Sequence, residues 1–382
     1  MNIPLAKPEI LESDIAAVAA VLRSGRLSLG PVLHAFENAL ATYLGVSHAV
    51  AVNSGTSALQ LALRALPIAE GDEVILPSFS FMAVTNAILA TGAIPVYVDI
   101  DPQTLNLDAA KVESTVSPRT RAVIVVHTLG FPARMNEILA VARRHNLFVI
   151  EDACEAIGAE IDGGKVGAHG DVGIFAFYPN KQITTGEGGA LVTNSAALAQ
   201  AVRSLSNQGR RPSHLWLQHE EAGYSYRLSD INCALGLQQL ARMEEILSRR
   251  EELARRYQFH LSRGATDLKY FSACPNGRAS CFTFPVLLPG HVSEDGRDEV
   301  WRELQNLGIE SGRYFPPAHL QPVMRKYAFR CGDLSQTVAV SRRLLCLPFF
   351  HSLQENEIEF VCASLTKLLM DRERANQVQA AR

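Results

Sequence analysis

One lysine, Lys181, stands at the centre of the segment Phe175-Ala176-Phe177-Tyr178-Pro179-Asn180-Lys181-Gln182-Ile183-Thr184-Thr185-Gly186-Glu187-Gly188-Gly189. Residues 171–177 read as a buried strand ending in aromatics, and Gly188-Gly189 permits a turn before the apolar run Ala190-Leu191-Val192. The lysine therefore sits between two strands, on a turn pinned by Pro179. A lysine in a polar loop is ordinarily a solvated charge. Here aromatics on one side and glycines on the other partly desolvate the ammonium group, and desolvation favours the free amine, a nucleophile toward carbonyls.

Such an amine forms Schiff bases, either with a substrate carbonyl or with the aldehyde of pyridoxal phosphate. The second option demands a carboxylate facing the pyridinium nitrogen, an anion site for the phosphate and a flat group against the ring. Candidates for all three lie upstream. Asp152 follows the apolar run Phe148-Val149-Ile150 and precedes the small residues Ala153 and Cys154; on its own it reads as a cap for the next turn. Asn53-Ser54-Gly55-Thr56-Ser57-Ala58 joins the strand 48–52 to a helical run over 59–66. Free N–H groups and the positive end of a helix dipole make such a junction a phosphate cradle, although alone it is a plain Ser/Thr N-cap. Phe81 follows a strand that closes at Pro77, and taken singly it is a core residue.

These residues need a scaffold that brings them to one place. Strand patterns at 73–76, 94–98, 122–126 and 147–150 alternate with helical ones at 80–90, 108–116 and 136–145, which predicts a mostly parallel sheet covered by helices on both faces. Ligands of such sheets bind beyond the carboxyl ends of the strands. Two amphipathic helices precede the sheet. Ser13-Asp14 caps the first, with Ile15, Val18 and Leu22 on its inner face, and the second spans 31–44 with Leu33, Phe36, Leu40 and Tyr43. After a helix at 196–205 comes a polar connection over 207–226, and then one long helix over 228–261 suited to link a large and a small domain. A strand at 282–288, a helix around Val300, a strand at 344–347 and a helix at 358–369 complete the chain, with a frayed polar tail beyond Asp371.

Composition narrows the function classes. The 382 residues are 47% hydrophobic and 20% charged, with a net charge of −3 and no Lys/Arg block, which disfavours nucleic acid and anionic membrane as partners. The apolar run 81–98 is broken by Asn86, Gly92 and Pro95, so no membrane span is proposed. Seven scattered cysteines without CxxC spacing indicate reduced thiols, a cytoplasmic location and no metal site. The charged N-terminus contains no signal-peptide core.

In this order and spacing the segments 53–59, Leu76-Pro77-Ser78-Phe79-Ser80-Phe81, Val98-Asp99-Ile100-Asp101-Pro102, Ile150-Glu151-Asp152-Ala153-Cys154-Glu155 and the lysine stretch resemble one family. It is the DegT/DnrJ group of pyridoxal-phosphate-dependent nucleotide-sugar aminotransferases, and the likeness runs over 4–369. The resemblance implies an α/β fold of the aspartate aminotransferase class (fold type I), with a large domain at 1–250 and a smaller α+β domain at 251–382. It further implies a homodimer with shared active sites. By the same resemblance Lys181 bears the Schiff base, Asp152 partners the ring nitrogen and Phe81 stacks on the ring. Gly55, Thr56 and Ser57 hold the phosphate, and Glu155 lies near the ring hydroxyl. Arg313 and His319, in Arg313-Tyr314-Phe315-Pro316-Pro317-Ala318-His319, fall in a segment like the family's substrate-facing loop.

Three positions depart from the family pattern. Ala176 replaces a phosphate-binding serine, Gly223-Tyr224-Ser225-Tyr226-Arg227 carries Ser225 where relatives place an asparagine reaching the neighbouring subunit's phosphate, and Glu155 replaces Gln or His. The first two imply either weaker phosphate binding or a shift of that work to Asn180 and Ser57; the third adds a charge beside the ring hydroxyl. The implied reaction is transfer of an amino group from L-glutamate to a nucleotide-linked keto sugar, in polysaccharide or amino-sugar synthesis. Two alternatives stand beside it: a non-catalytic regulatory member of the fold, and a pyridoxal phosphate lyase that would use Cys154. Lys181 itself argues against the related sugar dehydratases, which carry histidine there.

Overall fold

The computed structural model describes residues 2–210, 218–264, 267–271, 274 and 277–380, so part of the polar connection at 207–226 lies outside the described residues. The strand patterns become β1 (His48–Val52), β2 (Glu73–Pro77), β3 (Ile94–Val98), β4 (Thr120–Val126), β5 (Phe148–Asp152), the short β6 (Glu160–Ile161) and β7 (Gly164–Lys165), β8 (Val172–Ala176) and β9 (Gly189–Thr193). Later in the chain come β10 (Lys269–Tyr270), β11 (Gly277–Arg278), β12 (Phe284–Leu287), β13 (Arg330–Cys331) and β14 (Leu344–Leu347). The main sheet has the order β1-β9-β8-β5-β4-β2-β3-β13 and is parallel from β8 to β13, while β9 runs antiparallel to both its neighbours. This arrangement delivers the ends of β1, β2, β4, β5 and β8 and the start of β9 to a single edge.

Helices cover both faces: α1 (Glu12–Ser24), α2 (Pro31–Leu44), α3 (Gly55–Ala65), α4 (Met82–Leu89), α5 (Ala109–Thr115), α6 (Met135–His145), α7 (Ala196–Ser206), α8 (Asp230–Ala241) and α9 (Met243–Ser262). Side chains alternate across the pleat, so Ala49 and Ala51 of β1 enter one core with Phe36 and Leu40 of α2. Val50 and Val52 enter the opposite core with Leu59 and Leu63 of α3. A third core gathers β12 and β14 with α10 (Glu294–Asn306) and α12 (Glu355–Ala380); α11 (Ser335–Ser341) lies between them in sequence. Helix α9 joins two of these cores, placing Met243, Ile246 and Leu247 in the first and Leu253, Tyr257 and Leu261 in the third. The N-terminus also belongs to the third core, because Ile3 pairs with Ile309 and is fully buried there.

Four expectations require correction. The helix expected over 228–261 is two helices, broken at Arg242, whose φ −104°, ψ 15° is non-helical. Helix α1 starts two residues earlier than a Ser13 cap allows, with Leu11 at the cap position, and Asp14 accepts from Leu11 N at 2.9 Å. Its face carrying Ile15 and Leu22 is exposed, and Val21 is the buried apolar residue. The tail beyond Asp371 continues α12 to Ala380. Among the described residues no helix is long and apolar enough to cross a membrane.

Candidate active site

At the convergent sheet edge lies a cavity of about 440 Å³, walled by residues from the α3 start, the β5 and β8 ends, the lysine loop and the third core. Lys181 lies on its wall. The loop that carries it is stitched by backbone bonds: Thr185 N donates to Phe177 O at 2.9 Å, Phe177 N to Gly188 O at 2.9 Å and Lys181 N to Tyr178 O at 2.9 Å. Such a closed loop leaves the lysine side chain as its mobile part. Nζ lies 3.5 Å from Glu155 Oε1 and 4.2 Å from the ring centroid of Phe282. Both neighbours attract a cation, the ring through its negative face.

Asp152 ends β5 and is buried on the cavity wall, with Oδ1 accepting the Cys154 N–H at 3.0 Å. Glu151 beside it faces the opposite way and anchors the strand end. It accepts from His127 Nε2 (3.0 Å) and from the N–H groups of Gly167, His169 and Gly170. Burial penalises the Glu151 carboxylate, yet these donors hold it below the usual carboxylate range. Ala133 N donates to His127 Nδ1 at 3.1 Å, which fixes the imidazole proton on Nε2.

Ser54 caps α3, accepting from Ser57 N at 3.0 Å, and its carbonyl accepts from Ala58 N at 3.1 Å. Gly55 and Thr56 are left as the first-turn N–H donors on the cavity wall. Packing at this corner is close. A Cβ on Gly55 would stand 2.8 Å from Ala176 Cβ, and one on Gly189 would stand 2.5 Å from Gly55 N. Asn180 contributes a buried Oδ1 without a hydrogen-bond partner.

Glu155 is buried, with Oε2 accepting Leu129 N at 3.0 Å. Burial raises its pKa while Lys181 opposes the rise. Burial, with the Asp152 charge beside it, pushes the Cys154 thiol well above its ordinary value, which disfavours the thiolate form.

The cavity thus brings together Gly55, Thr56, Phe81, Asp152, Glu155, Asn180 and Lys181. Ser57 is bound to Ser54 at the same corner. Phe81 is 64% exposed at the rim and so is no core residue. Three predicted residues lie off the cavity wall. Ser225 accepts from Arg227 Nη2 at 2.9 Å. Arg313 pairs with Asp298 at 3.1 Å and lies 4.4 Å from the Trp301 ring. His319 Nδ1 bonds Ser78 Oγ at 2.6 Å, and burial lowers its pKa against the opposing charge of Asp99.

The sequence reading missed Phe282 and the role of Gln182, and within the substrate-facing segment it singled out Arg313 and His319 where the cavity wall holds Tyr314 and Phe315. The Tyr314 and Phe315 rings stack at 5.1 Å, and burial pushes the Tyr314 hydroxyl up to about 12. Gln182 Nε2 donates to Glu155 O at 2.7 Å and to Ser280 Oγ at 2.6 Å, tying the lysine loop to the third-core segment. Its position next to Lys181 was the local signal for Gln182, and the substrate-facing segment was the signal for Tyr314 and Phe315; Phe282 comes from distant sequence and gave none.

The DegT/DnrJ/EryC1/StrS aminotransferase family matches residues 8–366. The chain is 43% identical over 344 residues to the GDP-perosamine synthase of Caulobacter vibrioides, covering 90% of this chain and 91% of that one. It is 36% identical over 379 residues to the spore coat polysaccharide biosynthesis protein SpsC of Bacillus subtilis, covering 96% and 97%. Among solved structures, Spr1654 of Streptococcus pneumoniae superposes in its PMP form with a TM-score of 0.93 at 25% identity (99% of this chain, 100% of that one) and in its PLP form with 0.92. The lysine between two strands, the carboxylate at a strand end and the helix start opposite them thus recur in a chain that belongs to the DegT/DnrJ/EryC1/StrS aminotransferase family.

Proposed function

We propose that this chain is a pyridoxal-phosphate-dependent sugar aminotransferase that moves an amino group from L-glutamate to a nucleotide-linked keto sugar for amino-sugar or polysaccharide synthesis. One observation carries the reading: Lys181 Nζ lies at a cavity whose walls also hold Asp152 and the first turn of α3. The GDP-perosamine synthase and spore coat relatives support the sugar class, and the PLP and PMP forms of Spr1654 support the cofactor.

When bound, the cofactor supplies an aldehyde for the lysine and a ring that accepts electrons as a proton leaves the substrate carbon. The residues present fit that group. Asp152, on the cavity wall, would face the ring nitrogen and hold its proton. The Gly55 and Thr56 N–H groups, the Ser57 hydroxyl and the Asn180 side-chain amide N–H would donate to the phosphate, with Ala176 leaving no hydroxyl of its own. Phe81, at the rim, would lie against the ring. Lys181 Nζ would be the group that holds and moves a proton at the substrate carbon, as general base and then general acid. Arg313 and His319 stand outside the cavity wall, so their substrate role requires the sugar nucleotide to extend beyond it.

Two structural proposals accompany this function. Leu11, Ile15 and Leu22 fall on one face of α1 and are exposed, as are Leu27 and Leu29 just after it. This apolar face supports a homodimer in which Ser225 serves the second copy's cavity. The split of α9 between two cores supports a boundary between a 1–250 and a 251–382 domain, and the free cysteines support a cytoplasmic location.

The test is a visible spectrum of the protein with pyridoxal phosphate, before and after L-glutamate, beside Lys181→Ala. The expected result is a yellow band that glutamate bleaches and the variant lacks, followed by amine incorporation into a nucleotide-linked keto sugar detected by mass. A band indifferent to glutamate overturns the donor, and the absence of any band overturns the cofactor.

A further inference from the structure

Resting on the reading above, we infer that Glu155 takes the ammonium proton of Lys181 and so frees the amine that captures the cofactor's aldehyde. The geometry leaves Glu155 one oxygen for this task. Its Oε2 is held by Leu129 N at 3.0 Å, and its backbone carbonyl by Gln182 Nε2 at 2.7 Å, so Oε1 is the oxygen turned to Nζ at 3.5 Å. The contact is enclosed, because both side chains are close to nine-tenths buried and the Phe282 ring covers Nζ at 4.2 Å. Solvent base therefore has poor access to the proton, while a fixed carboxylate stands within ion-pair distance.

The remaining groups around the pair set its proton balance. Asp152, Tyr314, Cys154 and Cys346 act on Glu155, and the far wall of Lys181 carries Lys7, Glu9, Arg250 and His351. The Asp152 charge and burial both make Glu155 a stronger base than a solvated glutamate. That change brings it nearer the optimum for proton transfer at neutral pH.

The step balances. The N–H bond of the ammonium breaks as the O–H bond of Glu155 forms, and the freed nitrogen lone pair makes the new bond to the aldehyde carbon. The aldehyde oxygen then leaves as water with one proton from the attacking amine and one returned by Glu155, which ends as carboxylate. Glutamine at this position would keep the Leu129 bond but could not accept the proton.

The experiment follows loading of the cofactor-free full chain by pyridoxal phosphate in stopped flow between pH 5.5 and 8.5, for the native chain, Glu155→Gln and Glu155→Ala. A parallel arm traps phosphate-free pyridoxal with cyanoborohydride and reads the adduct at Lys181 by mass. In the native chain loading slows as pH falls and Glu155 becomes protonated. The glutamine variant is expected to load about 10²-fold more slowly at neutral pH. Its rate should climb with pH as hydroxide replaces the carboxylate, and added formate should restore loading in Glu155→Ala. Native loading in Glu155→Gln, or equal slowing at every pH without formate rescue, overturns the inference. If the native chain forms no band with pyridoxal phosphate, the proposed function fails instead, and the phosphate-free arm still decides the role of Glu155.

Discussion

Gly189→Ala tests whether the α3 start is built to receive an anion. The added methyl carbon would stand 2.5 Å from Gly55 N, within the Ser54–Gly55 backbone. An ordinary contact needs roughly 1 Å more, and neither side can give way by rotating a side chain, since both are backbone. Overpacking of this kind costs about 1–3 kcal/mol. Relief requires the α3 start to move by a similar distance, and a misplacement of about 1 Å at a reacting site can cost about 10²-fold. The assay pairs urea unfolding with a titration of pyridoxal phosphate by absorbance. Gly332→Ala is the control, since a methyl carbon there meets nothing within 4 Å. The expected result is a stability loss and weakened cofactor binding in Gly189→Ala, with neither in Gly332→Ala. Native cofactor affinity in Gly189→Ala would refute the assignment of this corner as the phosphate site, whatever happened to stability.

Two further outcomes follow from single groups. Asp152→Asn should still bind pyridoxal phosphate but lose about 10²-fold or more in the rate of the glutamate half-reaction, read by bleaching of the band, because the ring nitrogen loses its counter-charge; a native rate would remove Asp152 from that role. Asp99 accepts from Lys111 Nζ and from the N–H groups of Gln336 and Thr337. Burial opposes its charge, but these donors hold its carboxyl below the usual range. A depressed folded pKa stabilises above the unfolded value of about 4 and is lost as pH falls through the folded one. Asp99→Asn should therefore cost about 1–3 kcal/mol in urea at pH 7 and progressively less below pH 4; an equal cost at both would refute the charge argument.

The parts of this protein legible in sequence were those fixed by local pattern. The β1–β5 alternation follows from apolar runs bounded by turns, and it carried Asp152 and the 53–58 junction to one edge without reference to any distant contact. The illegible parts depend on partners far along the chain. Phe282 reaches Lys181 because Phe282 N bonds Leu129 O at 3.1 Å, and the buried Arg250 donates to Phe282 O at 2.8 Å and to Cys281 O at 2.9 Å. No spacing in the sequence announces that arrangement. Arg313 lies off the cavity for a related reason, since Asp298 and Trp301 on α10 offer its guanidinium an acid and a ring face. The exposed Ile15 and Leu22 satisfied a helical period, but period alone does not say whether the opposing surface belongs to the same chain.

The division of labour at the cavity follows from which core supplies each wall. Asp152, the α3 start and the closed lysine loop all rest on the main sheet, and the loop is further fixed by Asn232 Nδ2 donating to Thr185 O at 2.6 Å. Phe282, Tyr314 and Phe315 come from the third core, which meets the sheet at the close approach of Gly130 to the Cys281–Phe282 backbone. A methyl carbon on Gly130 would stand 2.7 Å from Phe282 N, so backbone meets backbone at that point, beside the side chains of Phe79, Leu129 and Phe131 that pack in the third core. Asp152 and the lysine loop thus rest on the main sheet, while the rings of Phe282, Tyr314 and Phe315 come from the third core. The third core meets the lysine loop through side-chain contacts, Phe282 over Lys181 Nζ at 4.2 Å and Gln182 Nε2 bonded to Ser280 Oγ at 2.6 Å, so a change at either is felt directly at the lysine.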